Sequence, residues 1–180
     1  MDPLIAITQP TSTDVGIVSR ILERSIRAGC ALDHRNNPCI VEAWLRNKNC
    51  EEISRWLDDA GLCLRLGWLA GKPAGVAMAL ASGEICLCYV QPESFRRGVG
   101  QALMGVLEAY LGDRGHTWAM LYSTRTASGF YQRLGYRQTG RPISFSGLLL
   151  VPMGKALEND GRNGFHVPEL EHPAHPQENR

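Results

Sequence analysis

The chain has 180 residues, 44% of them hydrophobic, and a formal net charge of +1. This length and composition suit one globular domain with a full core and exclude a mainly disordered chain. A nearly neutral chain without a basic block argues against nucleic acid as the main partner.

The N-terminal third is predicted to hold one short strand followed by helices. Residues 4–8 suit a strand, and residues 11–29 place apolar side chains at helical spacing between threonine caps and a terminal glycine. A turn-forming loop, CALDHRNN, separates this helix from two more, which are expected to open at Pro38 and at Asn49. Helices therefore precede most of the sheet.

The remainder of the folded part alternates between strands and helices. From Gly61, three apolar runs joined by the turns GKP and SG predict an antiparallel meander. The helix GQALMGVLEAYLGDRG, the strand TWAMLYS and the short helix TASGFYQRLG follow, and two further strands, YRQTG and ISFSGLLLVP, end the pattern. This order predicts a mixed α/β, α+β-like domain over residues 1–157.

The last residues, 158–180, have few apolar anchors and many proline, histidine and charged residues. We expect a flexible tail there, and its three histidines fit no ordinary zinc spacing, so no metal is expected. No apolar run reaches a membrane span, the N-terminus lacks the pattern of a leader peptide, and the six cysteines include no Cys-x-x-Cys pair. We therefore expect a cytoplasmic protein with reduced thiols and no membrane partner.

The segment PESFRRGVGQAL, residues 92–103, suggests an anion site. A helix N-terminus attracts phosphate through free N–H groups, Gly98 and Gly100 allow close backbone approach, and Arg96 and Arg97 add positive charge. The third glycine of a dinucleotide fingerprint and the Gly-Lys-Ser/Thr of a P-loop are both absent. The segment thus indicates a pyrophosphate cradle, with a plain glycine turn between strand and helix as the alternative.

Two segments resemble motifs of the GNAT superfamily of N-acetyltransferases. The first, YVQPESFRRGVGQALM, resembles the cofactor motif, with Phe95 in place of the usual Gln or Arg. Its matching residues are Val90, Pro92, Arg96, Arg97, Gly98, Val99 and Gly100. The second, TRTASGFYQRLGY, matches a later motif, with Thr124 in place of the usual Asn. Its matching residues are Ala127, Tyr131, Gly135 and Tyr136.

The resemblance covers residues 62–151 and implies a single GNAT domain with a mixed central sheet of about seven strands flanked by helices. It also implies acetyl-CoA, or another acyl-CoA, as cofactor. The pyrophosphate is expected on the backbone from Arg97 to Ala102, and the pantetheine arm beside the end of a bulged strand. The expected cofactor residues are Cys88, Tyr89, Val90, Arg96, Arg97, Gly98, Val99, Gly100, Gln101, Ala102, Thr124 and Tyr131.

Acyl transfer to an amine needs a base, a stabilised oxyanion and an acid for the leaving thiolate. Tyr131 matches the family position that faces the CoA sulfur, so we expect it to be the acid, although a packed aromatic would look the same. Glu84 begins the strand that leads to the cofactor, and family members often use a glutamate there as base. A solvated turn residue is the alternative for Glu84.

The resemblance places Asp33 and His34 in the region that lines the acceptor pocket, and Tyr89 is a further candidate for substrate binding. We expect direct transfer in a ternary complex to a small-molecule amine or amino-acid-like acceptor, with a homodimer as one possible assembly. A protein N-terminus, a lysine or a tRNA-linked amine remains an alternative acceptor. A sensor that binds acyl-CoA without catalysis remains an alternative function.

Overall fold

The computed structural model describes residues 4–157, so the predicted tail and its histidines lie outside the described residues. The helices are α1 (Val15–Arg24), α2 (Ala31–His34), α3 (Pro38–Leu45), α4 (Cys50–Asp58), α5 (Val99–Asp113) and α6 (Ser128–Arg133). The strands are β1 (Ile5–Thr8), β2 (Leu62–Leu69), β3 (Lys72–Leu80), β4 (Ile85–Val90), β5 (Trp118–Thr124), β6 (Arg137–Gln138), β7 (Ile143–Phe145) and β8 (Leu148–Ala156).

The strands form two four-stranded antiparallel sheets. The first has the order β1-β2-β3-β4, and the second has the order β5-β8-β6 with β7 also paired to β8. Within residues 4–157, the sheets meet at one parallel bridge, between Glu84 and Met120, which makes the whole arrangement mixed. The predicted meander from Gly61 is confirmed by the antiparallel pairing of β2, β3 and β4.

Two apolar cores hold the first sheet between helices. On one face, α5 packs against strands β1 to β4 and buries Val99, Leu103, Leu107 and Leu111, which recur every four residues. On the other face, α1 and α4 pack against strands β2 to β4. Burying each such aliphatic side chain contributes about 1.5–3 kcal/mol, so this packing fixes the three helices against the sheet.

Local sequence signals set the starts of α3 and α4. Asn37 Oδ1 accepts a hydrogen bond from the Cys39 N–H, and Pro38 occupies the first turn of α3. Asn49 Oδ1 accepts from the Glu52 N–H at 3.0 Å. Because these side chains satisfy N–H groups that a helix start leaves free, the predicted openings at Pro38 and Asn49 are confirmed.

Three sequence predictions about local structure were wrong. The expected loop CALDHRNN contains the short helix α2, because the N–H groups of Asp33 and His34 both donate to the Cys30 carbonyl. The run ISFSGLLLVP is the hairpin of β7 and β8 rather than one strand, because the chain reverses at Ser146 and Gly147, both with positive φ. The first long helix leaves α-helical geometry after Arg24 and ends with a π-helical turn, Ser25–Gly29.

Among residues 4–157, no helix has the length and apolar character that a membrane crossing requires.

Candidate active site

Strands β4 and β5 diverge from their one shared bridge and leave a gap between the two sheets. At the closed end, the Met120 N–H donates to the Gly83 carbonyl at 3.2 Å. Beyond it, the facing edges of β4 and β5 share no further bridge within residues 4–157. The ends of both strands line a cavity of about 830 Å³, here called the cofactor cavity. An unpaired strand edge at a cavity offers backbone groups to a ligand.

The backbone of β4 directs N–H donors into this gap. The Gln91 N–H donates away from the gap, to the Ala74 carbonyl, whereas the Val90 carbonyl accepts from Ser25 Oγ at 3.1 Å. Since antiparallel pairing uses alternate residues, the N–H groups of Cys88 and Val90 point to the open edge. The register shift of β4 against β3 lies between Ile85 and Leu87, earlier than the bulge expected at residues 88–90.

The start of α5 forms the other end of the cofactor cavity. Arg96 and Gly98 have φ values of 58° and 86°, so the loop turns sharply into the helix. The first helical hydrogen bond runs from the Ala102 N–H to the Gly98 carbonyl at 3.0 Å. Within residues 4–157, the N–H groups of residues 96–101 have no intramolecular acceptor. Converging free N–H groups at a helix N-terminus suit a phosphate.

Gly100 lines this cavity and lies close to the ring of Phe130. A Cβ on Gly100 would lie 3.0 Å from Cζ of Phe130, which is tighter than ordinary side-chain packing tolerates. The spacing of glycines in the motif is therefore explained by two different needs. Gly98 supplies the left-handed turn, and Gly100 supplies the close approach between α5 and α6.

Tyr131 projects from α6 into the cofactor cavity. Its ring is only 8% exposed and packs edge-on against Phe130 and Tyr136, at centroid distances of 5.0 and 5.9 Å. Among residues 4–157, its hydroxyl has no hydrogen-bond partner. Burial raises the pKa of Tyr131 well above its usual value, so the phenol keeps its proton at neutral pH.

Two thiols line the same cavity and are poor nucleophiles there. Burial raises the pKa of both Cys30 and Cys88 to about 12, with the Asp33 carboxylate adding to the effect at Cys30. Since the thiolate is the reactive form, both side chains remain neutral and unreactive near pH 7. The cavity therefore lacks an activated cysteine.

Most of the predicted cofactor residues meet in the cofactor cavity, and two do not. Those that line it are Cys88, Tyr89, Val90, Arg96, Gly98, Val99, Gly100, Gln101, Thr124 and Tyr131. Arg97 is exposed and lies outside the lining. The inclusion of the Ala102 N–H was wrong, because that group is already used within α5. The lining also includes Ser25, Cys30, Phe130 and Arg133, of which Phe130 and Arg133 flank Tyr131 in the later motif.

Glu84 lies at the closed end of the gap and outside the lining of this cavity. It is half-buried, and burial raises the pKa of its carboxyl above the usual value. Cys88 is the fourth residue after Glu84, which corresponds to about 13 Å along an extended strand. Any proton transfer between Glu84 and an acceptor beside Cys88 would therefore run through water.

A second cavity of about 550 Å³ adjoins the first, since Thr126 lines both. Its walls come from α2 and α3, from the β5–α6 turn and from the β7–β8 hairpin. Asp33 lines it and accepts hydrogen bonds from the N–H of Thr126, at 3.3 Å, and from Thr126 Oγ1. Asp33 thus ties the helical layer to the turn that follows β5.

All three residues predicted to bind substrate have polar groups engaged by the protein, Asp33 through its hydrogen bonds with Thr126. The fully buried His34 donates from Nε2 to the Ile26 carbonyl at 2.9 Å and accepts the Asn36 N–H at Nδ1. Both ring nitrogens are therefore taken, so a direct bond to substrate is wrong for His34. Tyr89 lines the cofactor cavity, and its hydroxyl accepts a hydrogen bond from Trp44 Nε1 at 2.8 Å.

Comparison with known families agrees with this geometry. Residues 40–157 match the family described as "Acetyltransferase (GNAT) domain". The match spans more than half of the chain, and the chain therefore belongs to the GNAT acetyltransferases. The predicted family, its mixed α/β fold and its enzyme class, the acetyl-CoA-dependent N-acetyltransferases, are confirmed.

Individual relatives are distant. "Uncharacterized protein YyaT" of Bacillus subtilis (strain 168) is 28% identical over 94 residues, which make up 49% of this chain and 62% of that one. The chain thus spans less than two thirds of this relative. A GCN5-related N-acetyltransferase from Rhodopseudomonas palustris superposes with a TM-score of 0.73 at 25% identity, over 87% of this chain and 97% of that one.

A third relative shows the fold alone. The PaiA N-acetyltransferase of Thermoplasma acidophilum, solved in complex with coenzyme A, has a TM-score of 0.71 at 16% identity. The alignment covers 85% of this chain and 99% of that one. A likeness at this identity supports the architecture and leaves the acceptor of each enzyme open.

Proposed function

We propose that this protein transfers an acetyl group from acetyl-CoA to a primary amine of a small molecule, by direct transfer in a ternary complex. The observation that carries this proposal is the single cavity that joins the free N–H groups of Arg96 and of residues 98–101 to Tyr131. Its volume of about 830 Å³ suits an extended cofactor arm.

The residues of the cofactor cavity have different roles in binding and in acetyl transfer. The N–H groups at the start of α5, with Arg96 and Arg133 beside them, hold the pyrophosphate. When bound, acetyl-CoA supplies an activated acyl group as a thioester. The N–H groups of Cys88 and Val90 then stabilise the negative charge that develops on the carbonyl oxygen. Tyr131, which keeps its proton, protonates the departing thiolate.

The state of the thiols in the cavity supports direct transfer. A route through an acyl-cysteine needs a thiolate, and the pKa values of about 12 for Cys30 and Cys88 keep both protonated. We propose Glu84 as the base that accepts the amine proton through water, supported by its raised pKa and its place at the closed end of the gap.

Thermal unfolding with acetyl-CoA, CoA, NAD or buffer tests the cofactor site. Saturating acetyl-CoA and CoA should each raise the unfolding temperature, since a ligand at 100 times its Kd stabilises the folded state by about 2.7 kcal/mol. NAD should have no effect. Gly100→Asp should abolish both shifts, because it places a carboxylate in the cradle and against Phe130.

Gly105→Asp is the matched control, because Gly105 lies on the same helix with open space around it. It should retain the full shift with CoA. Absence of any shift with CoA in the unaltered protein would overturn the proposed cofactor. Release of CoA in the presence of a mixed amine library then separates an enzyme from a non-catalytic sensor, which would bind acetyl-CoA without turnover.

A further inference from the structure

The second cavity contains two cations without ion-pair partners. Arg35 and Arg125 both line it, from the α2–α3 loop and from the turn after β5. Within residues 4–157, neither guanidinium makes a hydrogen bond or salt bridge, whereas arginines 24, 27 and 55 are all paired with glutamates. An arginine fork matches the geometry of a carboxylate, so two unpaired forks in one cavity favour an anionic ligand.

The loop that carries Arg35 is held in an unusual conformation. Arg35 and Asn36 have φ values of 51° and 54°, in the left-handed region that side chains rarely adopt. The buried ring of His34 fixes this turn, because it bonds the Ile26 carbonyl on one side and the Asn36 N–H on the other. Such backbone strain persists only where the surroundings enforce it. His34 is thus a positioning residue for Arg35.

The two arginine-bearing segments are joined by Asp33 and Thr126. Asp33 precedes Arg35 by two residues, Thr126 follows Arg125 directly, and their side chains are hydrogen-bonded across the cavity wall. Asp33 is the one carboxylate in the described lining, so the two guanidinium groups leave the cavity with a net positive charge. This contact also lies where the second cavity meets the cofactor cavity, at Thr126.

Much of the remaining wall of the second cavity is apolar, although Asn37 also lines it. Leu32, Ile40 and Leu149 contribute aliphatic side chains, and Leu32 and Leu149 are exposed by 81% and 43%. The hairpin turn reaches this wall through Gly147, where a Cβ would lie 2.9 Å from the Ile40 side chain. Cationic and aliphatic surfaces thus occur side by side in a space of small-molecule size.

We propose that the acetyl acceptor is a small amino acid-like amine that carries a carboxylate and an apolar side chain. Arg35 and Arg125 bind its carboxylate, the aliphatic wall takes its side chain, and its amine faces the cofactor cavity past Thr126. This inference rests on the proposed function and names the substrate class of the same enzyme. The positive charge of the second cavity matches the carboxylate of such an acceptor.

The transfer step balances without a further reactant. The ammonium group first loses one proton to water or to Glu84. The neutral amine nitrogen then forms a bond to the thioester carbonyl carbon, the carbon–sulfur bond breaks, and a second nitrogen proton is released. The thiolate takes a proton from Tyr131, which is restored from solvent. The products are an N-acetyl amino acid and free CoA.

Paired substrates test the role of the carboxylate. Each apolar amino acid is compared with its carboxamide and with the amine that lacks the carboxylate, such as leucine, leucinamide and isoamylamine. For at least one side chain, kcat/KM should be about 10- to 100-fold higher for the acid, since hydrogen bonds to charged groups contribute about 1.5–3 kcal/mol. Arg35→Gln/Arg125→Gln should remove this preference and leave the affinity for CoA unchanged.

Arg20→Gln/Arg46→Gln is the matched control, because it removes two exposed arginines that line neither described cavity. A second measurement does not depend on turnover. In protein saturated with CoA, an N-acetyl amino acid should raise the unfolding temperature more than its amide does, in the unaltered protein and the control. The Arg35→Gln/Arg125→Gln variant should lose this difference.

The outcomes separate this inference from the proposed function. Turnover of carboxamides or simple amines as fast as the acids, in a protein that binds CoA, would overturn the inference and leave the acetyltransferase intact. The inference would also be overturned if the CoA-loaded protein neither acetylates nor is stabilised by any carboxylated ligand. Failure to bind CoA at all would instead overturn the proposed function on which the inference rests.

Discussion

The cofactor cavity and the second cavity adjoin at Thr126 but are built in different ways. The polar donors of the cofactor cavity come largely from the backbone, namely the unpaired edge of β4 and the free N–H groups at the start of α5. The second cavity is built from side chains, with Arg35, Arg125 and an aliphatic wall. Backbone suits a cofactor that every family member shares, and side chains suit an acceptor that differs between enzymes.

This difference indicates where substitutions can change the specificity for the acceptor without loss of the cofactor site. Substitutions in the second cavity leave the strand gap and the helix start untouched, so they should alter the acceptor and preserve the cofactor. Changes to the glycines of the cradle act on the backbone itself and should affect every substrate alike. Variants on the two sides should therefore give separable kinetic effects.

The largest expected effect is that of Tyr131→Phe, on the cofactor side. The substitution keeps the packed ring and removes the proton donor, so kcat should fall about 100- to 1,000-fold, with little change in the Kd of acetyl-CoA. Steady-state kinetics with a measured Kd would check this. Tyr136→Phe is the control, because its hydroxyl donates to Glu108 rather than into the cavity, and it should keep kcat. Equal losses in both variants would contradict the assignment.

Glu84→Gln should lower kcat/KM by about 10- to 100-fold. A base must be unprotonated, so the rate should rise with pH through the pKa of Glu84, which burial raises above its usual value. The variant should lose this acidic limb in a pH–rate profile. Glu93→Gln, at the exposed loop after β4, should retain both the rate and the limb. An unchanged profile in Glu84→Gln would rule out this base.

Gly147→Ala should weaken binding of the acceptor in the second cavity and leave the cofactor cavity unaffected. A methyl group there would meet Ile40 at 2.9 Å, and the residue has a φ of 80°, so the hairpin turn must shift. We expect about a 10-fold higher KM for the acceptor and a stability loss of about 1–3 kcal/mol, with the Kd of CoA unchanged. Kinetics and chemical denaturation measure the two effects. A matching loss of CoA affinity would show that the cavities are not separable.

The smallest expected effect concerns α5 away from the cradle. Gly105 lies in the exposed middle of this helix with no neighbour near its missing Cβ. Gly105→Ala should therefore raise the free energy of unfolding by about 0.5–1 kcal/mol, since alanine favours the helix. Denaturant unfolding with and without CoA would check this. A change in CoA affinity would mean that a substitution in the middle of α5 affects CoA binding at its N-terminus.

Most residues that line the cofactor cavity could be predicted from the sequence because the signals are local. Residues 92–103 carry the strand end, the turn and the helix start in one stretch, so the spacing of Gly98 and Gly100 could be recognised directly. The meander was equally clear, since its turns interrupt alternating apolar runs. Tyr131 was identified as the acid candidate by its place in the second motif, and it remains a prediction for the Tyr131→Phe experiment.

The second cavity could not be predicted to the same extent because it is assembled from segments that are far apart in the sequence. Nothing local connects Arg35 with Arg125, which lie 90 residues apart and meet only through the tertiary fold. The hairpin that closes this cavity was also missed. Its turn needs positive φ at both Ser146 and Gly147, and a serine gives only a weak signal for that conformation. His34 was predicted to bind substrate, yet both of its ring nitrogens form hydrogen bonds with the backbone.

Hydrogen exchange with and without CoA tests the central claim most directly. The N–H groups of residues 96–101 have no intramolecular acceptor and should exchange fast in the free protein. CoA should slow their exchange and that of Cys88 and Val90, while the amides of α4, which is remote from the cofactor cavity, stay unchanged. Slowed exchange at residues 96–101 is the predicted result. Protection elsewhere, with these amides still exchanging fast, would contradict the assignment of the cofactor site.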